Sequence, residues 1–341
     1  EANRLRPMRR SVLKSDELRL NDFFPQVRER LIVFGGETMA LPIGCVTPAL
    51  LSDGLASTGA WTSIGMQEAR SEAWAVPSPR TAAYRFLQRA SSYASHAGGT
   101  SLLFEVEQML PQLTSPPCLR SMSELAAASA PGQLPGYAAS AWPIRNSEQV
   151  SADDRRLLPQ RLRCDPMPGA GEVYNPIAKQ WEPVRGEPRR VPLLATNGRL
   201  VGVTAATRNA ASAFRLAEWL AGTQNARQLS TSSPNAANVR KSLARVADDW
   251  TGRGDKELGK QFSAAQAASL SHREALLIPR IIRVDDYLAA LDQEIGRAIS
   301  GEASPVDALA AAAAEWDRLT DEIGRDRQRR CYQAHLAGLG G

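Results

Sequence analysis

The side chains that most often carry catalysis are few and scattered in this 341-residue chain. Its three histidines, His96, His272 and His335, lie far apart without metal-site spacing, which is typical of surface or helix-end residues. The sequence contains no G-x-S-x-G, P-loop or G-x-G-x-x-G motif. Paired carboxylates such as Asp153-Asp154 and Asp285-Asp286 could serve a glycosidase only at a defined separation, and solvated helix caps are the alternative. These residues favour a protein that is not an enzyme.

Composition indicates an ordinary soluble globular protein. Hydrophobic residues make up 43% of the chain and charged residues 23%. The length predicts two domains, and no apolar run approaches the roughly 18 residues that a membrane span needs. The 41 basic and 36 acidic residues are interspersed, with no basic stripe of the kind that nucleic-acid binding uses.

The cysteines predict neither a metal site nor a cofactor site. Four cysteines, Cys45, Cys118, Cys164 and Cys331, are widely separated and form no C-x-x-C motif or Cys/His cluster. Their spacing leaves open whether any of them pair. We therefore predict no metal and no cofactor.

Residues 191–222 give the clearest local structure. VPLL and RLVGVTAA are apolar strands separated by a turn at Thr196-Asn197-Gly198. Asn209 is in N-cap position before an alanine-rich helix that Gly222 ends. The segment predicts a strand–turn–strand–helix unit of an α/β domain.

The same stretch, with its glycine turn and the following run NAASAFRLAEWL, resembles extracellular solute-binding proteins of ABC sugar transporters. Further motifs agree with this resemblance in order along the chain. They are the DFFP and GGETMALPIG runs of residues 22–44, the TSPP helix start at 114–117, GYAASAWP at 136–143, PMPG at 166–169 and GEASPVDALAAAAAEW at 301–316. The resemblance spans residues 20 to 325, and it depends on the order of several modest motifs.

The resemblance implies an α/β fold of the periplasmic binding protein-like II class, with two lobes and a hinge. It predicts an incomplete N-terminal half-lobe, because no strand or helix is predicted before Asp22. Residues 1–48 would be the remnant of the N-terminal lobe and 49–190 the C-terminal lobe. Residues 191–265 would return to the N-terminal lobe, and 266–341 would form C-terminal-lobe helices and the tail. Lobe crossings are expected near Gly44–Pro48, Val191–Thr196 and residues 265–280.

Sugar sites combine stacked aromatic rings with planar polar groups. Trp142, at the end of a predicted strand, and Trp61, in a polar loop, are the aromatic candidates, and a core position is the alternative for Trp142. Tyr174 and Trp181 could line the site or pack their loop onto the lobe.

By resemblance, Cys45, Thr47, Asn197 and Gly198 lie near the interlobe cleft, although Asn-Gly is also a common hairpin turn. Arg280 follows a helical region where the family approaches the cleft again, and an ordinary surface arginine is the alternative.

Apolar periodicity predicts several helices away from the cleft. They are expected at Asp22–Arg30, Arg80–Ser95, Asp285–Ser300 and after the cap pair Ser304-Pro305, and Thr100–Val106 could be a strand. Trp219 and Trp316 fall at apolar helical positions and are predicted core residues. The basic run Arg325–Arg330 is predicted to lie at a solvated helix end.

The resemblance implies the substrate-binding component of an ABC importer. The protein would be an exported, periplasmic or cell-surface monomer that closes around a sugar or oligosaccharide and delivers it to a membrane permease. Two alternatives remain: a glycan-acting hydrolase using carboxylates whose pairing is unknown, and a ligand-sensing domain that signals instead of transporting.

Overall fold

A computed structural model describes most of the chain. It covers residues 4–52, 61, 81–94, 102–128, 137–138, 163–194, 197–232, 238–244 and 256–337. Trp142, His96 and the Asp153-Asp154 pair lie outside the described residues.

The described elements are short strands and longer helices. The strands are β1 (Leu5–Arg6), β2 (Val33–Phe34), β3 (Glu37–Thr38), β4 (Leu41–Val46), β5 (Ala49–Ser52), β6 (Tyr137–Ala138), β7 (Arg163–Pro166), β8 (Glu172–Asn175), β9 (Gln180–Pro183), β10 (Leu193–Leu194), β11 (Asn197–Val201), β12 (Val203–Thr204) and β13 (Leu276–Leu277). The α-helices are α1 (Arg10–Leu13), α2 (Thr81–Tyr93), α3 (Pro116–Ala128), α4 (Ala210–Ala221), α5 (Thr223–Ser232), α6 (Lys241–Ala244), α7 (Lys256–Ser271), α8 (Val284–Ile299), α9 (Pro305–Ile323) and α10 (Arg325–Ala337).

Buried apolar side chains form two separate clusters. The first core is drawn from residues 8–45 and 194–277, and Phe23, Phe24 and Phe214 are its aromatic members. The second core is drawn from residues 50–193 and 278–332, and it includes Phe104, Tyr287 and Trp316. The described chain therefore builds two apolar interiors, each from segments distant in sequence.

Helix signals in the sequence are confirmed where capping and periodicity agree. Asn209 accepts a hydrogen bond from the Ser212 N–H at 3.2 Å and begins α4, and Ser304 caps α9 with Pro305 in its first turn. Trp316 is a core residue as predicted, since its indole N–H donates to the Tyr287 carbonyl at 2.7 Å and its ring stacks on Phe104.

Trp219 does not lie in the core, so that prediction is wrong. Its side chain is 52% exposed, because α4 buries the face that carries Phe214, Ala217 and Ala221. His335, predicted to be a surface or helix-end residue, is buried near the end of α10.

The segment before Asp22 also differs from expectation. β1 pairs with β12, α1 follows, and Met8, Val12 and Leu18 are buried in the first core. The prediction that no element precedes Asp22 is therefore wrong. The incomplete half-lobe is tested by none of these contacts and stays a prediction.

Two further local predictions differ from the structure. The helix predicted at Asp22–Arg30 is confirmed in part: a 3-10 turn covers Leu20–Asp22, and residues 25–31 are helical, with a π-helical turn over Val27–Leu31. Asp22 instead accepts hydrogen bonds from the backbone N–H and the hydroxyl of Ser242 at the start of α6. In the segment predicted as a strand at Thr100–Val106, the described part has one isolated bridge, from Phe104 to Pro111.

A buried arginine fastens this N-terminal segment to the first core. Arg240 is fully buried, its Nη2 donates to the Leu18 carbonyl at 2.9 Å, and its Nη1 lies 3.4 Å from an Asp22 carboxylate oxygen. Its guanidinium stacks over the Phe23 ring at 4.0 Å, and burial lowers its pKa. Because the charge is paired and hydrogen-bonded, its burial is compatible with a stable core.

The hairpin given as the alternative for Asn197-Gly198 does not form between VPLL and RLVGVTAA. β10 pairs in parallel with β13, whereas β11 pairs antiparallel with β4, so the two strands belong to different sheets. Gly198 lies in β11 opposite Cys45, with φ +150°. A Cβ at Gly198 would lie 2.5 Å from the Gly44 carbonyl oxygen, so only glycine allows this close approach.

We expect Gly198→Ala to lower the free energy of unfolding by about 2 kcal/mol or more, because the new methyl group would force β11 away from β4. Urea denaturation measures the effect. Gly296→Ala is the matched control, since a Cβ there meets no atom within 4 Å and alanine is the better helix former. Equal stability of the two variants would contradict the close approach.

Candidate functional site

The chain passes between the two cores at three places. Cys45 belongs to the first core and Leu50 to the second. Leu193 packs in the second core and Leu194 in the first, whereas Leu277 packs in the first and Ile278 in the second. The adjacent strands β10 and β13 therefore change cores side by side. These segments place a candidate site at the junction between the cores.

The first crossing is held by a glutamine from α7. The Oε1 of Gln266 accepts the Thr47 backbone N–H at 2.7 Å and the Thr47 hydroxyl at 3.1 Å, and its Nε2 donates to the Thr47 carbonyl at 2.6 Å. Both side chains are buried. The amide thus takes the place of a neighbouring strand where the backbone leaves β4, because buried backbone groups need partners.

Two more polar contacts tie segments together near the junction. Gln261, one turn earlier on α7, accepts the Cys164 backbone N–H of β7 at 2.9 Å. Arg189 donates to the Ser91 and Ser92 carbonyls at the end of α2, each at 3.0 Å, and its Nη2 lies 2.8 Å from Glu274. Burial lowers the pKa of Arg189, and the Glu274 charge opposes that shift.

A small cavity of about 40 Å³ lies at this junction. Gln88, Met167 and Arg190 line it from segments around the second core, and Ser269 and His272 line it from the end of α7. The Gln88 side chain is only 3% exposed, and its Oε1 has no partner within the described part of the chain. The volume fits a few water molecules rather than a ligand of typical size, whose pockets span about 300–1,000 Å³.

Four of the predicted site residues lie together at the first crossing. Backbone pairing places Asn197 opposite Val46 and Gly198 opposite Cys45, and Thr47 follows directly. Cys45 and Thr47 are buried.

The described cysteines are free thiols. Burial raises the pKa of Cys118 to about 12 and also raises that of Cys164.

Trp61 lies in the second core. It is 4% exposed, its backbone N–H donates to the Gly169 carbonyl at 3.0 Å, and the Arg89 guanidinium lies over its ring at 4.6 Å. Its indole N–H has no partner among the described residues.

Tyr174 packs its hairpin onto neighbouring helices. Its ring meets Trp181 edge to face at 5.5 Å, and Trp181 meets Tyr93 of α2 at 5.8 Å. The Arg120 guanidinium from α3 lies 4.6 Å from both the Tyr93 and the Trp181 ring centres. These contacts match the packing alternative for the loop pair.

Arg280 is half-buried beside α10. Its Nη1 donates to the Val33 carbonyl, its Nε lies 3.3 Å from His335 Nδ1, and its guanidinium is 5.2 Å from the Phe34 ring centre. The described contacts of Trp61, Tyr174 and Arg280 are therefore with residues other than the four at the first crossing. Roles in ligand binding stay predictions for all eight residues.

Sequence reasoning missed Gln266 and Arg189. Gln266 interrupts the small-residue run SAAQAAS of α7, and a lone amide within a buried stripe is the one local signal of its role. Arg189 and Arg190 are adjacent and of the same type, and only the fold gives them different contacts. No local sequence signal therefore identifies Arg189 as the residue at the junction.

Two other kinds of site are absent from the described part of the chain. Among these residues, no three His, Cys, Asp or Glu side chains lie close enough together to hold a metal ion. Over the same part of the chain, no helix combines the length and apolarity that a membrane crossing requires.

Solved structures share this architecture. The sugar-binding protein MalE from Xanthomonas citri superposes with a TM-score of 0.68 at 12% identity, over 94% of this chain and 80% of that one. A solute-binding protein from Thermotoga lettingae, bound to α-D-tagatose, gives 0.63 at 13% identity, over 93% and 81%. The cyclic α-maltosyl-1,6-maltose binding protein of Arthrobacter globiformis gives 0.62 at 15% identity, over the same shares.

The fold is that of the periplasmic binding protein-like II class. The expected fold class is thereby confirmed. No family model matches the sequence, and no curated protein sequence matches it. At identities of 12–15%, the likeness to periplasmic binding proteins shows the architecture of this chain.

We expect Gln266→Leu to lower the free energy of unfolding by about 3 kcal/mol, because it leaves the buried N–H and carbonyl of Thr47 without partners. Guanidinium denaturation measures the loss. Thr47→Ser is the matched control, since it keeps the hydroxyl and both backbone bonds. If the two variants were equally stable, the amide would not support the crossing.

Proposed function

We propose that the protein is the substrate-binding component of an ABC importer and binds a sugar or oligosaccharide between two lobes. The first and second cores would be the interiors of those lobes. The observation that supports this most is the junction itself, where three chain segments pass between two separately packed interiors. Such an arrangement permits hinge bending, because the crossings are few and each core can move as a unit.

The architecture favours binding over catalysis. The neighbours in structure are named for what they bind: sugar in one case, α-D-tagatose in another and a cyclic maltosyl saccharide in a third. We propose the same class of ligand here, with closure of the lobes and no covalent step. The partner would be a membrane permease, and the protein would act as a monomer outside the cytoplasm.

Ligand contacts would come from the first crossing together with Trp142. Asn197 and Thr47 lie near the place where the lobes meet, and Gly198 allows β11 to approach β4 closely. Trp142 would supply a ring for stacking on the apolar face of a sugar, because aromatic rings and planar polar groups are the usual components of such sites.

We expect one member of a sugar panel to raise the melting temperature. At about 100 times its Kd, binding stabilises a protein by about 2.7 kcal/mol, which corresponds to about 4 °C for a chain of this size. The panel should include maltooligosaccharides, α-D-tagatose and cyclic α-maltosyl-1,6-maltose, and differential scanning calorimetry is the measurement. Release of free sugar from an oligosaccharide during the assay would instead favour a hydrolase.

For the sugar that binds, we expect Trp142→Ala to weaken affinity by about tenfold or more, since an aromatic ring that stacks on a ligand is a typical hot spot. Isothermal titration calorimetry measures the change. Trp219→Ala is the matched control, because that tryptophan is 52% exposed on α4 and is not a proposed ligand contact. Equal affinities for the two variants would remove Trp142 from the site.

A further inference from the structure

We propose that Arg280 is a positioning residue that joins α10 to the first lobe and so sets the angle between the lobes. We call the contacts of Arg280 with Val33 and with His335, together with the bond between Gly35 and Ala334, the interlobe clamp. The inference rests on the proposed hinge, and it gives Arg280 a role that requires no contact with the ligand.

Two side chains fix α10 to the second lobe. Tyr332 is buried in the second core and meets Phe104 edge to face at 5.4 Å. Gln328 is fully buried, accepts the Ile282 N–H at 3.0 Å and donates to the Ile282 carbonyl at 2.9 Å. The same Nε2 lies 2.9 Å from the Tyr287 hydroxyl. The helix therefore moves with the second lobe.

The backbone of α10 also touches the first lobe. The Ala334 carbonyl accepts the Gly35 N–H at 3.1 Å, in the turn between β2 and β3. This turn requires φ +61° at Gly35 and follows Val27, Leu31 and Ile32, which pack in the first core. The contact consequently links α10 to a part of the first lobe that its own core holds in place.

Arg280 connects the same two parts from the crossing segment. It lies between Ile278 and Ile281, both in the second core, yet its Nη1 donates to the Val33 carbonyl of the first lobe. Its Nε faces His335 Nδ1 of α10 at 3.3 Å. One guanidinium therefore contacts a strand of one lobe and a helix fixed to the other.

The chemistry of the pair makes the contact directional. Burial lowers the pKa of Arg280 to about 10, and burial with the nearby Arg280 charge lowers the pKa of His335 to about 3. The imidazole is thus neutral at physiological pH, and its Nδ1 can accept a hydrogen bond from the guanidinium. Both partners of Arg280 are neutral acceptors, and hydrogen bonds to neutral acceptors hold a defined geometry better than long-range charge attraction does.

A change in the interlobe angle would separate these groups. The clamp spans the lobes beside the β10–β13 crossing, so rotation about that crossing moves Val33 and Gly35 relative to Arg280 and Ala334. Two of the clamp's hydrogen bonds, from Arg280 to Val33 and from Gly35 to Ala334, cross between the lobes and favour one angle over others, and a ligand that requires another angle must break them. The bond from Arg280 to His335 orients the guanidinium. Loss of the clamp should therefore broaden the range of interlobe angles.

The test measures interlobe distance in the protein without sugar. Spin labels at Arg215→Cys on α4 and Glu302→Cys after α8 report the separation by pulsed electron paramagnetic resonance, with Cys331→Ser to prevent a third label; both label positions are exposed. The variants are Arg280→Met and His335→Phe, which keeps a ring stacked on Tyr332. Arg329→Ala is the matched control, because Arg329 donates to the Glu107 carbonyl and contacts no part of the clamp.

We expect Arg280→Met and His335→Phe to broaden the distance distribution or to add a second separation. Arg329→Ala should leave the distribution unchanged, and Arg280→Lys, which keeps one donor, should have an intermediate effect. Unchanged distributions in folded Arg280→Met and His335→Phe would overturn the clamp, as would an equal change in Arg329→Ala. If Arg280→Met does not fold, His335→Phe decides alone. Sugar-induced thermal shifts on the same variants test the proposed ligand. A failure of the proposed function can therefore be distinguished from a failure of the clamp, which is tested without sugar.

Discussion

Every crossing between the two cores removes backbone groups from water, and those groups need hydrogen-bond partners. At the first crossing Gln266 provides them, because its amide pairs with both the N–H and the carbonyl of Thr47. At the other two, β10 and β13 pair with each other as they change cores. The junction is therefore fixed by hydrogen bonds in a protein whose stability otherwise comes from two apolar interiors.

The same constraint indicates which parts can move. Within each core, helices pack through apolar stripes, such as Leu309, Ala312 and Trp316 on α9, and a close-packed interior resists deformation. Between the cores, the connections are short strands and single side chains. Motion of one lobe relative to the other is accordingly the least costly large change available, and α7 and α10 limit it because both contact segments of each side.

Much of the fold could be predicted from local signals. The caps Asn209 and Ser304 and the stripe of α9 are encoded within a few residues, and the order of modest motifs indicated the fold class. The pairing of β11 with β4 could not be predicted, because its partners lie about 150 residues apart in sequence and their match depends on the whole fold. Trp219 and Arg280 show why site residues could not be predicted from the sequence. The type of a residue suggests its chemistry, but only the packing decides whether Trp219 is exposed and which lobe Arg280 contacts.

The central claim is that a sugar binds between the two lobes and brings them together. Small-angle X-ray scattering tests it most directly, by comparing the radius of gyration of the protein alone with that of the protein saturated by the sugar that stabilises it. The account predicts a smaller radius of gyration in the complex, because hinge closure brings the lobes together. Saturated binding with an unchanged scattering profile would contradict hinge closure.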